Sequence, residues 1–406
     1  MKGLYSEVRA RAQAIQDDVV RFLRDVVAIP STSTNEQAVV ERIAEEMRRA
    51  GLEDVHFDPV GNVLGRVGHG PITILYDSHI DTVGVGDPKA WSFDPFEGKV
   101  ENGVVYGRGA SDNKAAIATM VHGARLIKEM GLAGAFTLWV IGVVEEEAMD
   151  GWAVGETIRT GHIKPDFVVL GESTNLDIYR GHRGRCEIKV TTKGVSCHAS
   201  APERGVNALY KMQRILAGIE QLNEHLAHDE FLGKGTIVAS CLETKTPSYN
   251  AVPDEAVLYI DRRLTIGETA ESAMAEIKAL PGAEEAAVEL LRYSDPSWTG
   301  YQKDVAKDYP TWVLPEEHPL VQAGADAAET ILGRRPGISR WVFSTDGIAT
   351  AGQLGIPTIG FGPSEERFAH STRDQVSIEH LVAATAFYAV FPQILTKRVG
   401  GTVDHA

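Results

Sequence analysis

The chain has 406 residues, 43% of them hydrophobic, which is enough for two or three domains with sizeable cores. Its 56 acidic and 40 basic residues give a net charge of −16, which disfavours binding to nucleic acids and to anionic membrane surfaces. No apolar run approaches the roughly 20 residues that span a bilayer, and charged residues through the first 25 positions do not fit a signal peptide. Three cysteines (Cys186, Cys197 and Cys241) without a Cys-x-x-Cys motif fit a reducing compartment, which predicts a cytoplasmic protein.

Apolar periodicity predicts alternating helices and strands in the first 184 residues and again from about residue 296. In the first part we expect helices over 6–28, 35–50, 113–130 and 151–160, and strands near 54–58, 62–67, 71–77, 135–144 and 166–170. In the last part we expect a helix at 318–332, strands near 339–343 and 357–361, a helix at 378–395 and a loose tail from 399. This alternation is typical of an α/β layer with a largely parallel sheet.

The pattern between these two parts is different. Its predicted elements follow the order β-α-β-β-α-β, which is the ferredoxin-like unit. They are strands at 185–193, 236–242, 255–264 and 286–293 and helices at 205–222 and 269–279. The sequence therefore predicts an α/β domain formed by 1–184 and 296–406, into which a ferredoxin-like α+β domain, residues 185–295, is inserted.

Histidines and carboxylates follow directly after several predicted strands. His79 and Asp81 end one strand, Glu145–Glu147 end a second, and Glu172 follows a third. Ligands of open α/β sheets bind beyond the carboxyl ends of the strands. A metal could bind His79 with Asp81 orienting the imidazole, and the mutually repelling glutamates could supply a general base beside a metal ligand. The ordinary alternatives are a surface histidine and a solvated helix start.

Two further residues extend this set. Asp112 precedes a predicted helix, where it could be a simple N-cap or a carboxylate that bridges two metals. The preceding Gly107 and Gly109 lack the third glycine of a dinucleotide-binding fingerprint. His370 lies in a loop after a strand, where a histidine is ordinarily just exposed. Because a histidine or carboxylate lies past each of five predicted strands or their loops, the sequence predicts a site on the rim of the sheet.

These motifs resemble those of the M20 family of metallopeptidases, the group of acetylornithine deacetylase, succinyl-diaminopimelate desuccinylase, aminoacylase and glutamate carboxypeptidase. The resemblance covers nearly the whole chain, in order, and within the family the chain is similar to the hydrolases linked by name to selenium metabolism. The matching segments are Ser78-His79-Ile80-Asp81-Thr82-Val83, Gly107-Arg108-Gly109 through Asp112-Asn113-Lys114, Glu145–Glu147, Gly194–Pro202 with Gly205-Val206-Asn207-Ala208, and Ala369-His370-Ser371.

The resemblance implies two zinc ions, for which Co²⁺ or Mn²⁺ could substitute. His79, Asp112 and Glu172 would hold one ion. The shared Asp112, with Glu147 and His370, would hold the other. Two such ions lower the pKa of a bridging water toward about 7.

In the family a glutamate activates this water, and Glu146 is the matching residue. It would take the proton of the water and pass it to the leaving amine, while Asp81 would orient the first histidine. Three consecutive glutamates leave the register open. Alignment on Gly151 makes Glu146 the base and Glu147 the ligand, and the alternative is Glu145 with Glu146.

The resemblance also implies substrate contacts from the inserted domain. His198 would bind the carbonyl oxygen, in the family often in the site of the partner subunit, which implies a homodimer through this domain. Arg263 would hold a substrate carboxylate by a bidentate pair, and Asn250 would contact the substrate. Two residues depart from the family pattern: Cys197 stands where alanine is frequent, and Ala199 where serine is usual.

The sequence thus predicts a metal-dependent amidohydrolase that cleaves an N-acyl amino acid or a short peptide with a free carboxylate. A dipeptidase or carboxypeptidase with the same groups is the nearest alternative to a deacylase. A two-metal phosphoesterase is disfavoured by the charge of −16 and the missing phosphate loop. A non-enzymatic binding protein on the same fold is disfavoured because the glutamate base is present.

Overall fold

The structure, a computed structural model, describes residues 2–400. Val399 and Gly400, the first two residues of the predicted tail, are helical, and the rest of the tail lies outside the described residues. The helices are α1 (Lys2–Ala14), α2 (Gln16–Val27), α3 (Gln37–Arg49), α4 (Lys114–Glu129), α5 (Trp152–Arg159), α6 (Ala208–Leu222), α7 (Ala270–Lys278), α8 (Pro319–Leu332) and α9 (Ile378–Gly400). The strands are β1 (Glu53–Phe57), β2 (Val63–Val67), β3 (Ile72–His79), β4 (Lys99–Glu101), β5 (Val104–Tyr106), β6 (Phe136–Val143), β7 (Phe167–Leu170), β8 (Ile178–His182), β9 (Gly184–Lys193), β10 (His228–Asp229), β11 (Gly233–Lys234), β12 (Thr236–Lys245), β13 (Glu255–Leu264), β14 (Ala287–Leu290), β15 (Arg292–Tyr293), β16 (Val305–Ala306), β17 (Asp308–Tyr309), β18 (Trp312–Val313), β19 (Ile338–Trp341), β20 (Thr358–Gly360) and β21 (Gln375–Ser377).

The larger sheet has nine strands within residues 2–400, in the order β1-β2-β6-β3-β7-β20-β8-β18 with β19 beside β8. The four central strands β6, β3, β7 and β20 run parallel to one another. The pairs β1–β2, β2–β6, β20–β8 and β8–β18 are antiparallel. The predicted α/β fold with a mixed sheet is confirmed, and the parallel part of the sheet lies at its centre.

A second sheet has the order β12-β13-β9-β14, with every neighbouring pair antiparallel. In chain order its elements are β9-α6-β12-β13-α7-β14, the β-α-β-β-α-β connectivity that the sequence predicts. Side chains of this sheet and of the helices packed on it, such as Ile188, Ile215 and Ile260, form a hydrophobic core separate from that of the larger sheet. The limits 185–295 of the inserted domain stay a prediction, and the pairing of β17 with β9 carries the contacts of this sheet beyond them.

A small antiparallel sheet is formed by β4, β5 and β21. Tyr106 of β5 pairs with Gln375 of β21, so the chain that leaves β5 runs beside the chain that enters β21. Three residues are too few to show an alternation of apolar and polar side chains, so the sequence does not predict these strands.

Helix α9 has the length and the apolar composition of a membrane-spanning helix, but most of it is buried. Among residues 2–400 it is the one helix long and apolar enough to cross a membrane, and 67% of its most apolar window is buried. The rings of Phe387, Tyr388 and Phe391 pack against one another, Phe387 stacks on Phe361, and Tyr388 packs on Tyr76. Helix α9 is therefore a core helix of the larger unit.

Two other expectations differ from the structure. The helix predicted over 6–28 is two helices, α1 and α2, separated at Ile15, whose main chain leaves the helical region. Strand β8, Ile178–His182, is not predicted by the sequence, because two basic residues and a glycine interrupt its apolar pattern. Its place in the sheet is set by its pairing with three other strands.

Strand β20 packs closely against a tryptophan at Gly360. A Cβ atom at this position would lie 2.0 Å from Cη2 of Trp341, whose side chain is fully buried. We expect Gly360→Ala to lower the free energy of unfolding by about 1–3 kcal/mol, because the core must shift to admit the methyl group. Gly134→Ala is the matched control, since among the described residues its Cβ meets nothing within 4 Å. Urea unfolding measures both variants, and equal stabilities would contradict the packing argument.

Candidate metal centre

The central parallel strands bring side chains to one edge of the larger sheet. His79 is the last residue of β3, and Glu172 follows the end of β7. Glu145–Glu147 follow the end of β6, and His370 lies in the segment between β20 and β21. Because the four strands run in the same direction, their carboxyl ends meet at the same edge.

Asp112 lies between the two histidines. Its Oδ1 is 3.0 Å from Nε2 of His79, and its Oδ2 is 3.3 Å from Nε2 of His370. Glu172 Oε1 lies 3.3 Å from the same atom of His79, and Glu147 Oε2 lies 2.9 Å from that of His370. The result is two groups of three donors, His79–Asp112–Glu172 and Asp112–Glu147–His370, which share Asp112. In each group the donor atoms lie within 4.8 Å of one another.

The donor set suits divalent cations. Two imidazoles and three carboxylates supply the nitrogen and oxygen ligands that Zn²⁺, Co²⁺ and Mn²⁺ accept. Burial raises the pKa of Glu172 well above its usual range and also raises that of Glu147. Hydrogen bonds with Asp112 and Glu147 raise the pKa of His370 to about 10. Protons therefore offset the crowded negative charge, and a cation bound to the same atoms would replace them.

The structure contradicts the interpretation of His79 and Glu146 as surface groups and of Asp112 as a helix cap. His79 is 2% exposed and Glu146 is 7% exposed, so neither is a surface group. Helix α4 begins at Lys114 with Asn113 in the cap position, so the carboxylate of Asp112 does not cap it. The side chain of His370 is 56% exposed, as expected for a loop histidine, but its Nε2 lies among the donors.

Asp81 holds the first histidine and the glutamate turn together. Nδ1 of His79 lies 3.0 Å from the main-chain oxygen of Asp81 and 3.5 Å from its Oδ1. The main-chain N–H groups of Glu146 and Glu147 donate to the carboxylate at 3.1 Å each, and the hydroxyl of Ser33 donates at 2.7 Å. At Nδ1 of His79 the main-chain carbonyl of Asp81 is thus closer than the carboxylate, and the carboxylate holds the glutamate turn.

A cavity of about 360 Å³ opens over the donors. Besides the five donor residues, its walls include Glu146, Asp150, Arg185, Arg263, Ser344 and Glu366.

The three consecutive glutamates separate in space. Glu146 and Glu147 line the cavity, and burial raises the pKa of Glu146 well above its usual range. Glu145 has a φ of +59° and turns elsewhere: its Oε2 accepts a hydrogen bond from the hydroxyl of Tyr293 at 2.6 Å. Its main-chain N–H donates to Oε1 of Glu36 at 3.1 Å. This geometry favours the register with Glu146 and Glu147 in the site.

The predicted substrate residues do not lie together. Arg263 reaches the cavity from β13, and its Nε and Nη2 donate to the two oxygens of Asp261 at 2.7 and 3.1 Å. His198 and Asn250 are exposed on the surface of the inserted segment. They neighbour each other there, since the N–H of Ala199 donates to the main-chain oxygen of Asn250 at 2.8 Å. The described chain therefore brings Arg263 to the cavity but leaves His198 and Asn250 outside its walls.

Sequence reasoning did not identify a buried ion pair in the cavity wall. Nη2 of Arg185 lies 2.9 Å from Oδ1 of Asp150, and the guanidinium lies 4.3 Å from the centre of the Tyr309 ring. The hydroxyl of Ser344 donates to the other oxygen of Asp150. Asp150 follows the glutamate turn and Arg185 is the second residue of β9, so local periodicity gives no sign of their contact.

Residues 75–393 match the family described as Peptidase family M20/M25/M40. The chain belongs to this family. It is 47% identical over 384 residues to the Escherichia coli K12 protein YgeY, an alignment that covers 94% of this chain and 95% of YgeY. It is 27% identical over 394 residues to a succinyl-diaminopimelate desuccinylase of Methylocella silvestris, covering 91% of this chain and 96% of that protein.

The fold is also similar to that of the Bacillus subtilis YXEP protein, which is described as a dinuclear metal binding peptidase from the M20 family. The TM-score is 0.69 at 15% identity, over 95% of this chain and 99% of that chain. The predicted resemblance to the M20 family is confirmed, and the chain is an M20 hydrolase with the M20 fold. The nearer likeness to hydrolases linked to selenium metabolism stays a prediction.

Proposed function

We propose that this M20 hydrolase is a zinc-dependent amidohydrolase that cleaves an N-acyl amino acid or a short peptide with a free carboxylate. The observation that carries the proposal is the pair of donor groups sharing Asp112, with Glu146 and Arg263 in the walls of the same cavity. Co²⁺ or Mn²⁺ suits the same donors. One ion would be held by His79, Asp112 and Glu172, and the other by Asp112, Glu147 and His370.

When bound, the two ions would supply Lewis acidity, which polarises the amide carbonyl and lowers the pKa of water. The carboxylate of Glu146 takes a proton from the attacking water and delivers it to the nitrogen of the leaving amine as the C–N bond breaks. Asp81 holds the main chain of Glu146, and so fixes the base relative to the donors. The guanidinium of Arg263, kept in place by Asp261, pairs with the substrate carboxylate.

Deacylation and peptide cleavage break the same kind of bond. The Methylocella silvestris relative is named for removal of a succinyl group, whereas the Bacillus subtilis protein is described as a peptidase. A dipeptidase or carboxypeptidase is therefore the alternative to a deacylase, and it would use the same donors and the same base. The substrate, rather than the catalytic groups, distinguishes the two activities.

A substrate panel with metal analysis tests the reaction. The panel contains N-acetyl, N-succinyl and N-carbamoyl amino acids and dipeptides, each assayed with and without chelator, beside zinc content per chain. We expect about two zinc ions per chain and chelator-sensitive cleavage of one substrate class. We also expect the carboxyl-amidated form of the best substrate to lose about 10- to 100-fold in kcat/KM, because it cannot pair with Arg263.

Three other results would contradict the proposal. Cleavage of phosphate esters but not of amides would indicate a two-metal phosphoesterase. Zinc uptake without turnover of any amide would indicate a binding protein on the M20 fold. Absence of bound zinc after reconstitution, together with absence of turnover, would overturn the proposal.

Paired substitutions test which glutamate is the base. Glu146→Gln should keep both zinc ions and lower kcat by about 10²- to 10⁴-fold, because it removes the proton acceptor without removing a metal donor. Glu145→Gln is the matched control, and its turnover should stay close to wild type because its side chain lies outside the cavity. Zinc content and steady-state kinetics are measured on both variants. Loss of a metal ion from Glu146→Gln would mean that the register is shifted by one residue.

We further propose a homodimer formed through the inserted domain. Strand β12 ends the sheet order β12-β13-β9-β14, and most of its residues are exposed. Val238 and Leu242 on β12 are 54% and 40% exposed, and Tyr210 on α6 is 68% exposed. An exposed edge strand with apolar side chains is a template for pairing with another chain. In such a dimer His198 and Asn250 of the partner subunit would contact the substrate.

Analytical ultracentrifugation tests the dimer. The wild type should sediment at twice the 44.0 kDa mass of the chain. The double substitution Val238→Glu and Leu242→Glu should give a monomer, because it places buried like charges on both copies of the edge. Val100→Glu alters a valine that is 43% exposed on β4, and it should remain dimeric. A monomeric wild type at micromolar concentration would refute the dimer.

We also propose that the protein acts in the cytoplasm. All three cysteines are free within the described chain, and Cys186 is buried. Free thiols in this number fit a reducing compartment.

A further inference from the structure

A fully buried carboxylate binds the loop that carries the shared metal donor. Oδ1 of Asp374 accepts hydrogen bonds from the main-chain N–H and the hydroxyl of Ser111, both at 2.7 Å. Oδ2 accepts from the main-chain N–H of Gly109 at 2.7 Å and from Nη1 of Arg108 at 3.0 Å. All four donors lie directly before Asp112 in the chain.

The same carboxylate belongs to the segment that carries the loop histidine. His370 precedes Asp374, and Asp374 leads directly into β21. Strand β21 pairs with β5, and the N–H of Gly107 extends this pairing with a 3.1 Å hydrogen bond to the main-chain oxygen of Asp374. The chain that leaves β5 reaches Asp112. Asp374 therefore joins the two loops from which Asp112 and His370 arise.

The two donor groups are held in place by different parts of the fold. His79 ends β3 and Glu172 follows β7, so the central sheet positions both. The side chain of His79 is 1% exposed, whereas that of His370 is 56% exposed and its main chain has a φ of +54°. The separation of Asp112 from His370 thus depends on the contact between two loops rather than on a strand.

We propose that Asp374 is a positioning residue for the second donor group, Asp112–Glu147–His370. Through the four hydrogen bonds that its carboxylate accepts from the opposite loop, it sets the distance between Asp112 and His370. An amide at this position has one acceptor oxygen, and its NH₂ group would face N–H donors. The assignment rests on the proposed metal centre, and it concerns occupancy of the second group rather than the chemical step.

Zinc binding by Asp374→Asn tests the assignment. Metal-free wild type and variant are dialysed against buffers of set free Zn²⁺, and bound zinc is counted per chain. We expect the wild type to bind two ions, and the variant to lose about 10- to 100-fold in affinity for one ion and distinctly less for the other, which shares Asp112 but keeps His79 and Glu172. His370→Ala identifies the more affected group: adding Asp374→Asn to it should cause only the smaller of the two losses, in the affinity for the remaining ion.

Two further variants separate positioning from folding. Asp58 is 3% exposed, and its carboxylate accepts hydrogen bonds from the N–H groups of Gly61 and Asn62 and from the Asn62 amide. Asp58→Asn should lower the thermal stability and keep the affinity for both zinc ions. Ser111→Ala removes one bond to Asp374 and keeps the main-chain bond, so it decides the question if Asp374→Asn does not fold. We expect Ser111→Ala to lower the affinity for one zinc ion by about 2- to 10-fold.

The outcomes distinguish this assignment from the proposed function. If Asp374→Asn binds both zinc ions with wild-type affinity, or loses the same affinity for both, the positioning role is overturned and the proposed function stays in place. If Asp374→Asn does not fold, unchanged zinc affinity in Ser111→Ala would do the same. A wild type that binds no zinc at all would overturn the metal centre and this assignment together.

Discussion

The candidate centre depends on the common direction of four neighbouring strands. Because β6, β3, β7 and β20 are parallel, residues that follow each of them converge at one edge of the sheet. Reversal of any of these strands would place its donor at the opposite edge, a strand length away. Buried helices, α4 and α9 among them, cover this apolar centre, so the core that stabilises the sheet also fixes the separation of the donors.

Such a centre places several carboxylates where they repel one another. Asp112, Glu147 and Glu172 are only 12%, 10% and 8% exposed at their side chains. Burial of charge costs free energy unless hydrogen bonds or opposite charges offset it. Asp81 and Asp374 are offset by main-chain N–H groups, which leaves the imidazoles and a cation to offset the other three. Two carboxylates thus organise the loops, while three remain available as ligands.

The inserted segment completes the cavity without supplying a metal donor. Arg263 and Arg185 reach the cavity from β13 and β9, and each is held by an aspartate. One of these aspartates, Asp150, follows Glu145–Glu147 in the chain. The Arg185–Asp150 ion pair therefore holds β9 against the edge of the larger sheet that carries the candidate metal donors. The candidate metal donors and the two arginines therefore come from parts of the chain with separate hydrophobic cores, and they line one cavity.

Local sequence predicted where histidines and carboxylates follow strands, whereas their grouping into two donor sets was implied by the resemblance to the M20 family. His79, Glu172 and Asp112 stand beside strands or helices with strong apolar periodicity, which fixes where such elements end. Local pattern left the glutamate register open, and alignment on Gly151 favoured Glu146 with Glu147 over Glu145 with Glu146. Adjacent residues in a turn point in directions set by individual φ values, such as +59° at Glu145. Strands β4, β5, β8 and β21 were not predicted for a related reason: long-range pairing, rather than local pattern, selects them.

The sequence by itself determined the alternation of elements, the β-α-β-β-α-β order of the second sheet and its helices, and the residue types that end each strand. These follow from the spacing of apolar side chains along the chain. Only the tertiary structure decided which of those residues meet. It brought Arg185 to Asp150 and Asp374 to the loop before Asp112, and it left His198 on the surface. Contacts between residues far apart in the chain depend on how sheets and loops pack, and that information is absent from local periodicity.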